Sequence, residues 1–339
     1  ALDAAGNRMD VDRSNSFEID TGPAYDIKFF ENPVYRSELI LLVVASEDLL
    51  APPVILNPQG LSFASNTMLR LGSRVYSAVM KLTGSSSIEE GVLEISGTDL
   101  NGNSASRVVR FPIASVVNGN QFGLRSARLK IDFSADTFDK SVGSLAILPP
   151  SEIDESSLDT DVKRSMAKLN MPVNVELRKL RNLEQIIPSH VQLKKKAYVQ
   201  VRLKEPLGDK QGIFLESAEH IQWLTGPGSE IRTFAIERLG GLAIYEDLVA
   251  PKIELDDSLE IGTLESRSPK LSFSIQDQGS GVEPQTIMAT LAGQGMEVTK
   301  LDDGSFEAKF KGNLARGSHH LEIQASDRLG NLSIQKSSI

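Results

Sequence analysis

Leu93-Glu94-Ile95-Ser96-Gly97-Thr98-Asp99-Leu100-Asn101-Gly102-Asn103 decides the fold, because it recurs as Leu321-Glu322-Ile323-Gln324-Ala325-Ser326-Asp327-Arg328-Leu329-Gly330-Asn331. In both copies Leu, Ile and a small residue alternate with polar ones, the period of a strand with one buried and one wet face. Each strand ends in an Asp, followed three residues later by Gly and four later by Asn. An Asp carboxylate accepts from backbone NH groups of the turn that follows it, and Gly and Asn tolerate the positive φ that a tight turn needs. Beyond the turn Ser106, Val108 and Arg110 alternate with Val109 and Phe111, so each copy predicts a hairpin that closes a β-module. Ala1-Leu2-Asp3 with Gly6 and Asn7 reads as the end of a third copy. Internal repetition of this kind describes an array of similar modules rather than one enzyme-like domain. Calcium ligation by the motif's own Asp and Asn is the other reading, but the motif by itself lacks the dense carboxylate set of a hard-cation site.

Outward from these copies, the 339 residues predict about two to three domains. Hydrophobic content of 40% and charged content of 24% are ordinary for a globular chain. The longest apolar run, Leu39-Ile40-Leu41-Leu42-Val43-Val44-Ala45, has strand length, so no membrane span is expected. No basic, signal-like segment opens the sequence. A net charge of −9 argues against nucleic-acid binding, which needs concentrated positive charge. The one basic cluster, Lys194-Lys195-Lys196, reads as a solvated edge. Cysteine is absent, which excludes disulfides, thiolate catalysis and thiolate zinc sites. His190, His220, His319 and His320 fall in no zinc-protease or nucleophile-elbow context, and no Ser has an ordered base, so no enzyme is predicted.

Turn and linker signals divide the chain into 1–23, the end of a preceding module plus a linker; 24–117, a sandwich; 118–249, a β-rich middle module; and 250–339, a last sandwich. Leu39–Ala45 is continuous enough for burial on both faces. Val162, Met166 and Leu169 have helical spacing, which predicts one short helix within Asp159 to Asn170. Asp302-Asp303-Gly304 reads as a hairpin turn. Pro251 holds Ala250 extended, which suits a short stiff linker.

With Val44-Ala45-Ser46-Glu47-Asp48-Leu49, the Asp277-Gln278-Gly279-Ser280-Gly281-Val282 turn and the shared closing motif, the outer stretches resemble bacterial immunoglobulin-like domains of large exported proteins. The middle stretch is similar to β-rich modules that lie between such repeats, through Ala197 to Leu203, Trp223 with Gly226, and Leu239-Gly240-Gly241-Leu242-Ala243-Ile244-Tyr245-Glu246-Asp247. The resemblance implies an all-β chain of tandem immunoglobulin-like β-sandwiches flanking a β-rich middle domain. It implies an extracytoplasmic place at the cell surface, in the periplasm or outside, and it carries no catalytic residues. The segment from Ser151 to Asn170 stands as an insertion against that pattern.

Asp247, Asp256 and Asp257 flank a module boundary, where carboxylates of a linker and the next domain together can clamp calcium, the one cofactor the sequence suggests; the bland reading is a solvated acidic surface. Trp223 is the single Trp, either a sugar-stacking ligand residue or a half-buried strand residue. The expected function is a non-catalytic structural spacer and interaction segment of a large exported bacterial protein. Its partners would be other domains of the same long chain, protein partners, further copies of itself, or surface glycans. The alternatives are an adhesin or carbohydrate-binding array, and the accessory region of a secreted hydrolase.

Overall fold

The computed structural model describes residues 21–35, 37–83, 90–117, 119–138, 142–151, 153, 177–217, 220–256 and 266–339. The Asp3–Asn7 hairpin, the helix within 159–170, nearly all of the 151–170 insertion and Asp257 lie outside the described residues. The chain is all-β, in sheets that face one another as sandwiches, and every strand pairing among the described residues is antiparallel. None of its described helices is long and apolar enough to cross a membrane.

Near the N-terminus, Tyr25–Glu31, Leu39–Ala45, Val75–Leu82 and Leu61–Phe63 lie side by side in that order, with Leu69–Gly72 also paired to Val75–Leu82. Opposite them is the end of an eight-stranded sheet. Its order is Ile221–Thr225, Gln211–Glu216, Gly241–Asp247, Leu177–Ile187, Ser144–Leu148, Ser104–Ser115, Glu90–Thr98 and Val54–Gln59. The other end of that sheet faces a four-stranded sheet of Ile231–Arg238, Gln192–Arg202, Leu129–Phe133 and Phe122–Arg125. The last sandwich pairs Lys252–Leu255, Lys270–Gln276, Phe306–Lys309 and Glu297–Lys300 against Gln294–Gly295, Met288–Leu291, His320–Ser326 and Leu332–Ser338.

Alternation in each strand feeds these cores. Leu41 and Val43 enter the first core, while Leu42 packs on the opposite face with Phe30, Val75 and Ile153, so the apolar run is buried on both sides as its composition predicts. Both closing motifs form hairpins, Glu90–Thr98 with Ser104–Ser115 and His320–Ser326 with Leu332–Ser338. Asp302-Asp303-Gly304 turns the chain between Glu297–Lys300 and Phe306–Lys309, with Gly304 at φ +89°. The lysine cluster is a correction: Gln192–Arg202 is an interior strand of its sheet, not an edge. The register is irregular between Gln192 and Ala197, where the Lys194 NH donates to the Thr137 carbonyl at 2.8 Å and Lys196 reaches Glu237 at 2.9 Å.

The eight-stranded sheet runs across residue 117. Ser104–Ser115 pairs with Glu90–Thr98 along most of its length, and its final residues Ile113–Ser115 also pair with Ser144–Ala146. In Ser144–Leu148 the side chains then divide between two cores. Leu145 and Ile147 enter the middle core, and Ala146 and Leu148 enter the first. Ile186 and Ile187 divide in the same way. Glu31 of the first sheet adds a polar tie, accepting from both the backbone NH and the hydroxyl of Ser189.

Because Leu148 is sealed at 0% exposure, Leu148→Ala should cost about 2–5 kcal/mol. Amide hydrogen exchange is the readout. Protection at Leu41 and at Ile131 should fall together while Ile323 is unchanged, and loss confined to Leu41 would disprove the shared wall.

Candidate metal centre at a module junction

Asp327 follows the strand His320–Ser326 and organises the turn after it. Its Oδ1 accepts the backbone NH of Leu329 at 2.9 Å and of Asn331 at 2.8 Å, and its Oδ2 accepts Asn331 Nδ2 at 2.6 Å. Gly330 sits at φ +76°, where a side chain would strain the turn. Asp99 repeats the arrangement. Its Oδ1 accepts Asn101 and Asn103 NH at 2.8 Å each, its Oδ2 accepts Asn103 Nδ2 at 3.0 Å, and Gly102 sits at φ +88°. Burial acts to raise the Asp99 carboxyl, but the hydrogen bonds from Asn103, Asn101 and Gly102 together hold it below the usual carboxylate range. The turn therefore satisfies its own Asp without any further group.

Among the described residues, only the Asp327 turn is joined by two more carboxylates. Asp247 ends the strand Gly241–Asp247 of the middle module and is fully buried. Its Oδ2 accepts the NH of Ser280 at 2.7 Å and its Oδ1 that of Val249 at 3.2 Å. The approach requires glycine at 279, since a Cβ there would lie 2.2 Å from Asp247 Oδ2. Asp277 follows the strand Lys270–Gln276 and accepts the NH of Gly281, a residue at φ +85°. One carboxylate oxygen from each of Asp247, Asp277 and Asp327 lies within 4.8 Å of the other two. Asp327 is 2% exposed, and among the described residues no cation pairs with Asp247 or Asp327. Burial pushes the Asp247 carboxyl above its ordinary value and the Asp327 charge adds to this, against the opposing hydrogen bonds from Ser280 and Val249. Carboxylates at this spacing, Asp247 and Asp327 buried and Asp277 part-exposed, repel unless they share a proton or a cation, and a hard cation with oxygen ligands fits them best.

The same turn docks the last module on the middle one. Asn331 Nδ2 donates to the Asp247 carbonyl at 2.9 Å, and Lys210 Nζ donates to the Leu329 carbonyl at 2.9 Å. The Arg328 guanidinium lies 4.8 Å from the centre of the Trp223 ring, and Leu329 packs so closely on Gly226 that a Cβ there would stand 3.0 Å from it.

Of the sequence candidates, Asp247 is in the cluster. Asp256 is exposed and its NH donates to the Ser272 carbonyl, outside the cluster. Asp257 lies outside the described residues. Trp223 is half-buried at the junction beneath Arg328. Asp277 was legible only as a turn residue, and Asp327 as a turn residue whose calcium reading the motif by itself did not carry. Their common signal is an Asp followed within three residues by Gly, and the bridge between Val282 and Asp327 is what brings the two turns together.

No protein-family model matches this chain, and no curated protein matches it. Among solved structures it is similar to domains A168–A170 of titin, at 11% identity over 94% of this chain and 97% of that one, with a TM-score of 0.18. It is also similar to a Ca2+-stabilized adhesin that helps an Antarctic bacterium reach out and bind ice, at 7% identity over 93% and 97%, with a TM-score of 0.19. At those TM-scores neither likeness bears on the site, which stands on its own geometry.

A carboxyl whose pKa is raised by folding is most stabilising while protonated, and that contribution is lost as pH rises from the ordinary carboxylate range through the raised value. In chelator, urea unfolding of the last module should therefore show stability falling across that window. Asp247→Asn should flatten the slope, and an unchanged slope would show that the carboxylate is ionised at no cost.

Proposed function

We propose that this chain is a non-catalytic structural spacer and interaction segment of a large exported bacterial protein, in which successive sandwiches are locked rather than strung. Residues 24–117, 118–249 and 250–339 are the working units, with 1–23 belonging to the approach from a preceding one. The observation that carries this reading is the pair of inter-module ties. One sheet is shared between the first and middle cores, and the closing turn of the last module is seated on Asp247, Lys210 and Trp223. Such ties resist bending, so the segment holds its neighbours at a set distance.

Calcium completes the second tie in this proposal. Asp247 belongs to the middle module, whereas Asp277 and Asp327 belong to the last, so a cation bound by all three bridges the junction and offsets the repulsion between these carboxylates. The three side chains provide part of the six to eight oxygens calcium takes, water and carbonyl groups the rest. The partners are other domains of the same long chain, and proteins that meet its sheet edges.

Two measurements test this. Calcium at about one hundred times its Kd should stabilise the last module by about 2.7 kcal/mol, and Asp277→Asn should abolish the gain. Small-angle scattering should give an extended particle that becomes more flexible in chelator. A compact or multimeric particle would overturn the spacer reading, and a calcium-insensitive melt would overturn the bridging cation.

A further inference from the structure

The outer face of the four-stranded sheet in the middle module has a feature that neither the spacer reading nor the junction uses. Ala197, Val199 and Val201 of Gln192–Arg202 are fully buried, so Tyr198, Gln200 and Arg202 point outward, and Tyr198 is 62% exposed. The register places Tyr198 opposite Ala235 on one side and Asp132 on the other, and Asp132 opposite Gly123. The row across the sheet thus carries a large flat ring beside a methyl group, with a glycine at its far end. Four strands make a platform about 14 Å wide. A phenol ring this exposed, with only the methyl group of Ala235 opposite it on one side, offers its face to another flat apolar surface.

Charge decides what such a platform attracts. Lys130 pairs with Asp132 at 2.6 Å and Lys196 with Glu237 at 2.9 Å, which neutralises both acids of the face. Arg125 lies opposite Lys130 at the outer strand, and Arg202 follows Gln200 along the Tyr198 strand; both are exposed, and neither has an ion pair among the described residues. A chain of net charge −9 therefore presents a locally basic, solvent-facing sheet with an aromatic ring on an interior strand. Free guanidinium groups take carboxylates in bidentate fashion, and Gln200 adds both donor and acceptor for hydroxyl groups.

We propose that this face binds an anionic polysaccharide, with Tyr198 stacking on the apolar face of a sugar ring and Arg125 and Arg202 holding carboxylates of uronate units. A sheet face suits an extended polymer that touches several rows in turn. An acidic peptide would meet the two arginines but would not need the ring, and a second copy of this acidic chain would be held by charge alone. Both make different demands on Tyr198.

The test uses the full chain and polygalacturonate as probe, with dextran as a neutral polysaccharide and poly-glutamate as an acidic peptide, read by affinity electrophoresis and calorimetry. Binding to polygalacturonate should exceed binding to the other two and weaken with added salt. Tyr198→Ala should weaken it about ten-fold, whereas Tyr198→Phe should keep it. Arg125→Ser with Arg202→Ser should abolish it. All three positions are exposed, and circular dichroism verifies that each variant is folded. Equal binding of poly-glutamate, indifference to Tyr198→Ala, absence of binding to polygalacturonate, or a doubling of mass in light scattering that the arginine variant reverses would each overturn the proposal. None of these outcomes touches the rigidity of the junction, so the spacer reading stands or falls separately.

Discussion

Ser144–Leu148 has no solvent face, and much of the architecture depends on that. A strand buried on both sides must satisfy two cores with alternate residues, and Leu145 and Ile147 serve one while Ala146 and Leu148 serve the other. Because the backbone between them is hydrogen-bonded to Ser104–Ser115 on one edge and Leu177–Ile187 on the other, neither sandwich can shift without disturbing its neighbour. Two modules joined by a flexible linker would each have needed to cover a sheet edge. Here the edge of one becomes the interior of a larger sheet, and Glu31 with Ser189 closes the remaining polar gap.

The second junction uses different chemistry. Its contacts are few and mostly polar, and they converge on one turn whose geometry Asp327 sets. The first module carries the same turn around Asp99, with Leu100 exposed and its Asp satisfied locally. The two copies thus separate what the turn needs from what the junction adds. Internal hydrogen bonds account for Asp99 completely, whereas at Asp327 the buried Asp247 and the part-buried Asp277 bring extra negative charge close by. A like-charge cluster destabilises a fold unless something neutral or positive compensates it, so three carboxylates at this spacing call for a shared proton or cation.

Rigidity and recognition occupy different surfaces. The shared sheet and the docked turn consume apolar area and buried polar groups, while the face around Tyr198 stays exposed. A spacer with such a face keeps a binding surface at a fixed place along its length. Rigid presentation lowers the entropy lost when an extended polymer engages it.

Strand periodicity, the closing hairpins, the all-β class and the double burial of Leu39–Ala45 were determined by sequence alone, because each depends on alternation and turn chemistry within a few residues. Asp247 was also legible as a boundary carboxylate with metal potential. The tertiary structure alone decided that Asp247 meets Asp277 and Asp327 rather than Asp256, that Trp223 lies under Arg328, and that the lysine cluster sits in an interior strand. It alone placed Leu148 in a core whose other residues, Ala146 apart, lie more than thirty positions away. The physical reason is the same in each case. Alternation tells which face of a strand is buried, but the partner across that face is chosen by the register and order of strands far apart in the chain, which local sequence does not encode.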